Sequence, residues 1–265
     1  MSHHKISVQD VRFAYPGGGP VLDGVSFEIG HGESVAVVGA NGAGKTTLLK
    51  HLNGILLPES GHVAVGDVKV GPGTLAHVRQ AVGTVFQDPD DQLFMPSVFE
   101  DVAFGPLNFG MEAQDCASRV QSCLEQVGAW HLRERAPHQL SGGEKRRVAI
   151  AAVLAMSPGI LLLDEPSTGL DPKGRRQIIE LLKGFSHSKI IVSHDLELVR
   201  DLCPRTIILH EGKVAADGIT DDLLLDAPLM NRAGLEVPAS LRPCLSCGKT
   251  NANRPAGQSL QATSC

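Results

Sequence analysis

The chain has 265 residues, 42% hydrophobic and 20% charged, which excludes a wholly disordered polymer and allows one large or about two ordinary domains. Its 24 Lys and Arg against 29 Asp and Glu leave a net charge of −5, without the basic surplus of a dedicated nucleic-acid binder. No apolar run approaches the roughly 18 residues of a spanning helix, Met1 to Lys5 lacks the apolar segment of a secretion signal, and the six Cys are scattered, so a cytoplasmic, reducing location is expected.

Neither an internal repeat nor a coiled-coil heptad run is present. In chain order, Ile6, Val8 and Val11 alternate with polar residues, as do Val25, Phe27 and Ile29 beyond the Gly17–Pro20 break; this predicts an antiparallel strand region. Ser34–Val38 is a short apolar strand. A glycine-rich turn follows, and a helix is predicted from Thr46. Glu112–Val127 carries Cys116, Val120, Cys123, Leu124 and Val127 at helical spacing, and a second helix is expected over Glu144–Met156. Ile160–Leu163, Lys189–Val192 and Thr206–Leu209 are buried-type strands, with a helix over Gln177–Leu182 between the first two. The pattern is an α/β core interrupted by a helical insert over about 88–155, the whole occupying 1–238. From Ala239 to Cys265 no Asp or Glu occurs, and Arg242, Lys249 and Arg254 stand among Ser, Asn, Gln, Pro and Gly; this reads as a flexible basic tail.

Gly39-Ala40-Asn41-Gly42-Ala43-Gly44-Lys45-Thr46 fills every fixed position of G-x-x-x-x-G-K-[ST], between a strand and a helix. Its glycines let successive backbone N–H groups face phosphate oxygens, Lys45 can reach the β- and γ-phosphates, and the Thr46 hydroxyl suits Mg²⁺. Asp164 and Glu165 end a buried strand, where α/β sheets hold ligands; Asp164 suits the Mg²⁺ shell and Glu165 a water-orienting or general-base role. Leu140-Ser141-Gly142-Gly143-Glu144 precedes a helix. It satisfies a capping box, and it can equally form a second phosphate-binding edge.

Together these segments resemble an ATP-binding-cassette (ABC) ATPase over roughly residues 5–225. Gly39–Thr46 matches Walker A, Leu140–Glu144 the signature, Asp164-Glu165 the end of Walker B, Ser167–Asp171 the D-loop, His194 the switch histidine and Gln87 the Q-loop, while Tyr15 holds the place of the adenine-stacking aromatic. The resemblance implies a P-loop NTPase (RecA-like) α/β core, an N-terminal antiparallel β subdomain and an α-helical subdomain insert. It implies ATP and Mg²⁺ as cofactors. Glu165, His194, Lys45 and Gln87 would be catalytic; Tyr15, Gly39, Asn41, Gly42, Ala43, Gly44, Lys45, Thr46, Thr47, Ser141, Gly142, Gly143 and Asp171 would bind nucleotide; and Thr46, Gln87 and Asp164 would serve the metal. It also implies a head-to-tail dimer with itself or a sister ATPase, in which Lys45 and Thr46 of one subunit face Ser141 and Gly142 of the other.

The segment Asp88–Phe94, leading into Ser97–Pro106, is similar to the ATPase subunits of energy-coupling-factor importers, and the form around Phe94-Met95-Pro96 to the cobalt and nickel branch. That implies a polytopic transmembrane coupling subunit and a substrate-binding membrane subunit as partners, no nucleic acid, and a peripheral place on the cytoplasmic face of the membrane. A vitamin importer of the same type, or an ABC ATPase acting on DNA or ribosomes, are the alternatives. The last lacks support from any coiled-coil or zinc module. Cys244 and Cys247 have no second ligand pair and read as unpaired tail cysteines, and His3-His4 as an exposed start.

Overall fold

The structure is a computed structural model and describes residues 5–241; His3-His4, Cys244, Cys247 and the chain from 242 onward lie outside the described residues. β1 (Ile6–Ala14) and β2 (Pro20–Ile29) pair antiparallel, Ile6 opposite Ile29 and Val8 opposite Phe27. β3 (Ser34–Val38) runs through the glycine loop into α1 (Lys45–Leu52). β4 (Ser60–Val65) and β5 (Val68–Lys69) rejoin the first pair in a four-stranded sheet of order β2-β1-β4-β5. After α2 (Leu75–Ala81) and β6 (Val82–Val85) come the helices α3 (Val98–Asn108), α4 (Ala113–Gln126) and α5 (Gly142–Ala155). The chain then alternates through β7 (Ile160–Asp164), α6 (Pro172–Lys183), β8 (Ser188–Val192), α7 (Leu196–Leu202), β9 (Arg205–His210) and β10 (Lys213–Ile219), and α8 (Thr220–Leu225) and α9 (Ala227–Arg232) follow.

The second sheet has order β10-β9-β3-β8-β7-β6, parallel except for β10 at its edge. Its inner strands β3, β7 and β8 are buried on both faces because both are covered. On β7, Ile160 and Leu162 pack with Val8, Val25 and Val63 of the small sheet and with Leu48 of α1. Leu161 and Leu163 pack against the helices on the other side, in a cluster that takes in Val98, Val120, Leu124 and Val148. The helices α3, α4 and α5 thus share their apolar core with the large sheet. β7 ends at Asp164, and Glu165 follows it outside the strand.

β6 does not announce itself in the sequence because it is four residues long with Gly83 inside. A Cβ on Gly83 would meet Val153 Cγ1 at 2.4 Å, so the glycine is what lets α5 lie against the strand. At the other end, composition would begin the tail at Ala239, but Ala239–Leu241 forms a helical turn with Leu241 1% exposed. Ser240 is tied to Glu197 of α7 through its N–H (3.0 Å) and its hydroxyl (2.7 Å). The fold therefore extends three residues past the compositional boundary. No helix among the described residues is long and apolar enough to cross a membrane.

Candidate functional site

The Gly39–Gly44 loop leaves the buried end of β3 beside β9. A Cβ on Gly39 would stand 2.3 Å from the Leu209 carbonyl oxygen, which only glycine avoids. Asn41 and Gly42 are exposed at the loop tip, whereas Ala43 and Gly44 are buried under it. α1 starts without a side-chain cap, leaving its first N–H groups free for an anion. Lys45 Nζ turns back over the loop and donates to the carbonyls of Gly39 (2.8 Å) and Ala40 (3.0 Å). Burial lowers the Lys45 pKa, opposed by the Glu165 and Asp164 carboxylates. The Thr47 hydroxyl pairs with the Tyr15 hydroxyl at 3.2 Å. The Tyr15 ring, 40% exposed, rests edge-on against Phe13, which meets the buried His51 ring in the same way.

Asp164 is buried, and burial raises its pKa against the pull of a hydrogen bond from the Thr46 hydroxyl. Its Oδ1 has no hydrogen-bond partner. A cleft of about 690 Å³ gathers Thr46, Gln87 and Asp164 with Lys50, Asp88 and Arg146. An unpartnered buried carboxylate oxygen beside a hydroxyl and an amide is a hard-oxygen donor set, and it fits Mg²⁺.

Glu165 adopts φ +48°, a conformation that non-glycine residues rarely take. Its N–H donates to the Val192 carbonyl of β8 (2.9 Å). Its Oε2 accepts from the Ser193 hydroxyl (3.2 Å), the His194 N–H (3.3 Å) and His194 Nδ1 (2.8 Å). The loop after β8 therefore holds the carboxylate, and the mostly exposed His194 ring closes it from the solvent side. Below the loop, Asp195 takes two bonds from Arg175 of α6 (2.6 and 3.1 Å) and one from the Ser167 hydroxyl (3.3 Å).

The capping box expected at Ser141 is present: its N–H and hydroxyl donate to Glu144 Oε2 at 2.8 and 2.7 Å. These bonds lower the Glu144 pKa. Asp171 likewise caps α6, accepting from the Gly174 N–H at 2.6 Å. Ser141, Gly142, Gly143 and Asp171 line a separate cleft of about 430 Å³, which shares no lining residue with the Thr46–Asp164 cleft. One chain thus assembles Lys45, Thr46, Gln87, Asp164, Glu165 and His194 but does not bring the signature residues or Asp171 to them.

One buried group escapes motif reading. Arg146, on the buried side of α5, donates to the carbonyls of Phe86 (2.8 Å) and Gln87 (2.6 Å). Only the oddity of a charge in a helix that packs almost wholly inward could have marked it. Beyond Gln87 in the chain, Phe94 is 62% and Phe104 43% exposed, their rings edge-on at 5.0 Å, and Leu107 and Phe109 are exposed too. The buried Asp101 carboxylate accepts from the Phe94 and Met95 N–H groups (2.9 and 3.0 Å), so this apolar surface is held in place.

The family model described as ABC transporter matches residues 22–168. A protein of Geobacter sulfurreducens named as an ABC transporter ATP-binding protein is 59% identical over 94% of this chain and all of its own length. The energy-coupling factor transporter ATP-binding protein EcfA of Methanothermobacter thermautotrophicus is 48% identical over 88% of this chain and 76% of its own. Among solved structures, cbiO1 from Clostridium perfringens, part of the ABC transporter complex cbiONQ, superposes with a TM-score of 0.77 at 36% identity, covering 88% of this chain and 94% of its own. A dimeric ATP-binding cassette in a post-hydrolysis state with ADP and Pi gives 0.74 at 30% identity, covering 81% and 98%.

Proposed function

The chain belongs to the ABC transporter family as an ATP-hydrolysing, ATP-binding subunit, and on that premise we propose that it drives an importer of the energy-coupling-factor type for cobalt or nickel ions. The observation that carries the coupling is the held apolar surface of Phe94, Phe104, Leu107 and Phe109, which follows Gln87 in the chain and suits a helix of a membrane partner. The EcfA relative and the cbiO1 neighbour support the transporter type, while the ion rests on the likeness of the Phe94-Met95-Pro96 segment to the cobalt and nickel branch. The protein would sit peripherally on the cytoplasmic face, bound to a polytopic coupling subunit and a substrate-binding membrane subunit.

In this mechanism the loop N–H groups and Lys45 hold the phosphates, and the Tyr15 ring stacks on the base. Thr46, Gln87 and Asp164 would hold Mg²⁺, which when bound neutralises charge on the β- and γ-phosphates. Glu165 accepts a proton from the attacking water, and His194 steadies the Glu165 carboxylate and faces the γ-phosphate. Ser141, Gly142, Gly143 and Asp171 of a second copy, or of a sister subunit, cover the ATP from the other side. Closing and reopening of that dimer would move the membrane partner through the Phe94 surface.

The test is capture of the tagged chain from native membranes, identification of its partners, and ion uptake in a Lys45→Ala strain. A polytopic partner, with Co²⁺ or Ni²⁺ uptake lost in that strain, is the expected result. Uptake of a vitamin lost instead would keep the importer and change the cargo. A soluble or nucleic-acid partner, with uptake intact, would remove the transport assignment and leave the ATPase.

A further inference from the structure

Arg146 is 3% exposed, yet it lines the cleft that holds Thr46, Gln87 and Asp164. Burying a guanidinium costs free energy, which hydrogen bonds to its donors offset. Here two of them reach the carbonyls of consecutive residues, Phe86 and Gln87. Such a pair needs donors in a fixed fork, which lysine lacks. Arg146 Nε has no partner, so the guanidinium is committed to those two carbonyls. The same segment is sewn to α5 at other points. Lys145 Nζ meets Asp90 at 2.5 Å. Gln92 donates to the Ala149 carbonyl (2.8 Å) and accepts from the Phe86 N–H (3.3 Å).

We propose that Arg146 is a positioning residue for the metal half of the site: by gripping the Phe86 and Gln87 carbonyls it sets the Gln87 side chain against Thr46 and Asp164, and it makes the Gln87 segment move with the helix that carries Ser141. The proposal rests on Gln87 and Asp164 serving Mg²⁺. Displacement of the membrane-facing segment and displacement of the signature are then one motion, because four contacts join them.

The experiment uses the full chain with a non-hydrolysable ATP analogue and Mn²⁺ in place of Mg²⁺. Mn²⁺ affinity is read by electron paramagnetic resonance, and analogue affinity without divalent ion by equilibrium dialysis, in the parent, Arg146→Lys, Gln87→Ala and the double variant. Arg146→Lys keeps the charge and removes the fork that holds both carbonyls. Arg146→Lys is expected to weaken Mn²⁺ about tenfold, as loss of an outer-shell partner does, while metal-free analogue binding stays as in the parent. Gln87→Ala should give a similar loss, and the double variant no further loss. Unchanged Mn²⁺ affinity in Arg146→Lys, with a loss in Gln87→Ala, overturns the proposal alone. So do losses that multiply in the double variant, or analogue binding that falls in step with Mn²⁺. No loss in Gln87→Ala overturns the metal role of Gln87 as well.

Discussion

Glu165 is held by four groups from the β8 side, its own N–H on Val192 and its Oε2 on Ser193 and His194, in a left-handed backbone conformation. Such a conformation persists only where its surroundings over-determine it, and it aims the carboxylate away from the path β7 would otherwise continue. Glu165→Gln keeps shape and hydrogen-bonding capacity but cannot take a proton. Phosphate release is expected to fall about 10²–10³-fold, the usual share of a general base, and an ATP-bound dimer should accumulate on size-exclusion chromatography. Normal turnover would strip Glu165 of its role. Asp195 shows the same residue-scale logic in a structural setting. Burial works against its charge, but Arg175, the Leu198 N–H and Ser167 prevail and lower its pKa below 3.8. A lowered carboxyl pKa stabilises the fold above the unfolded value, and that stabilisation is lost as pH falls through the folded one. Asp195→Asn is therefore expected to lower the unfolding temperature at pH 7, with the gap to the parent narrowing below about pH 4. A constant gap across that range would rule out the ionised pair.

At the scale of elements, the motifs were legible wherever local chemistry alone forces the structure. Ser141 and Glu144 cap α5 whatever else packs on it, so that helix start could be placed to within two residues. Ser141→Ala removes the cap and should cost about 1 kcal/mol in chemical denaturation, besides weakening ATP-dependent dimerisation. An unchanged stability would mean that tertiary packing alone holds the first turn. α4 was legible too, because one face is apolar at helical spacing and buries Cys116, Val120, Cys123 and Leu124. β4, β6 and β10 were not. β4 is six residues long with Gly61 near its start, β6 contains Gly83, and β10 is an edge strand with no fully buried residue; each is a strand because a neighbour pairs with it. α3 hides behind Pro106 and Gly105 in its last turn, and its place is set by packing on α5 and by Asp101.

For the whole molecule, the decisive fact is that the Walker-type cleft and the signature cleft are distinct surfaces of one chain. A surface that carries half of a site at one place and the complementary half at another suits an isologous two-fold pair, in which each copy supplies one half to each of two sites. The ADP-and-Pi cassette to which the chain is similar is dimeric. Mixing inactive Lys45→Ala with inactive Ser141→Arg should then restore up to about a quarter of the parent phosphate-release rate, since half of random dimers hold one intact composite site of two. No recovery, with mixed dimers shown to form, would exclude composite sites.

By itself the sequence determined what local chemistry dictates: a phosphate loop that needs glycine and lysine between strand and helix, a carboxylate pair at a strand end, capped helix starts, and an α/β alternation. These depend on contacts a few residues apart, and a linear reading contains them. Only the tertiary structure decided that Glu165 is gripped by Ser193 and His194, that Thr47 serves Tyr15, that Arg146 reaches back across 60 residues to Phe86, and that the signature faces outward. Those pairings depend on where the sheet sets its neighbours, which is settled by burial of the whole core and not by any one segment.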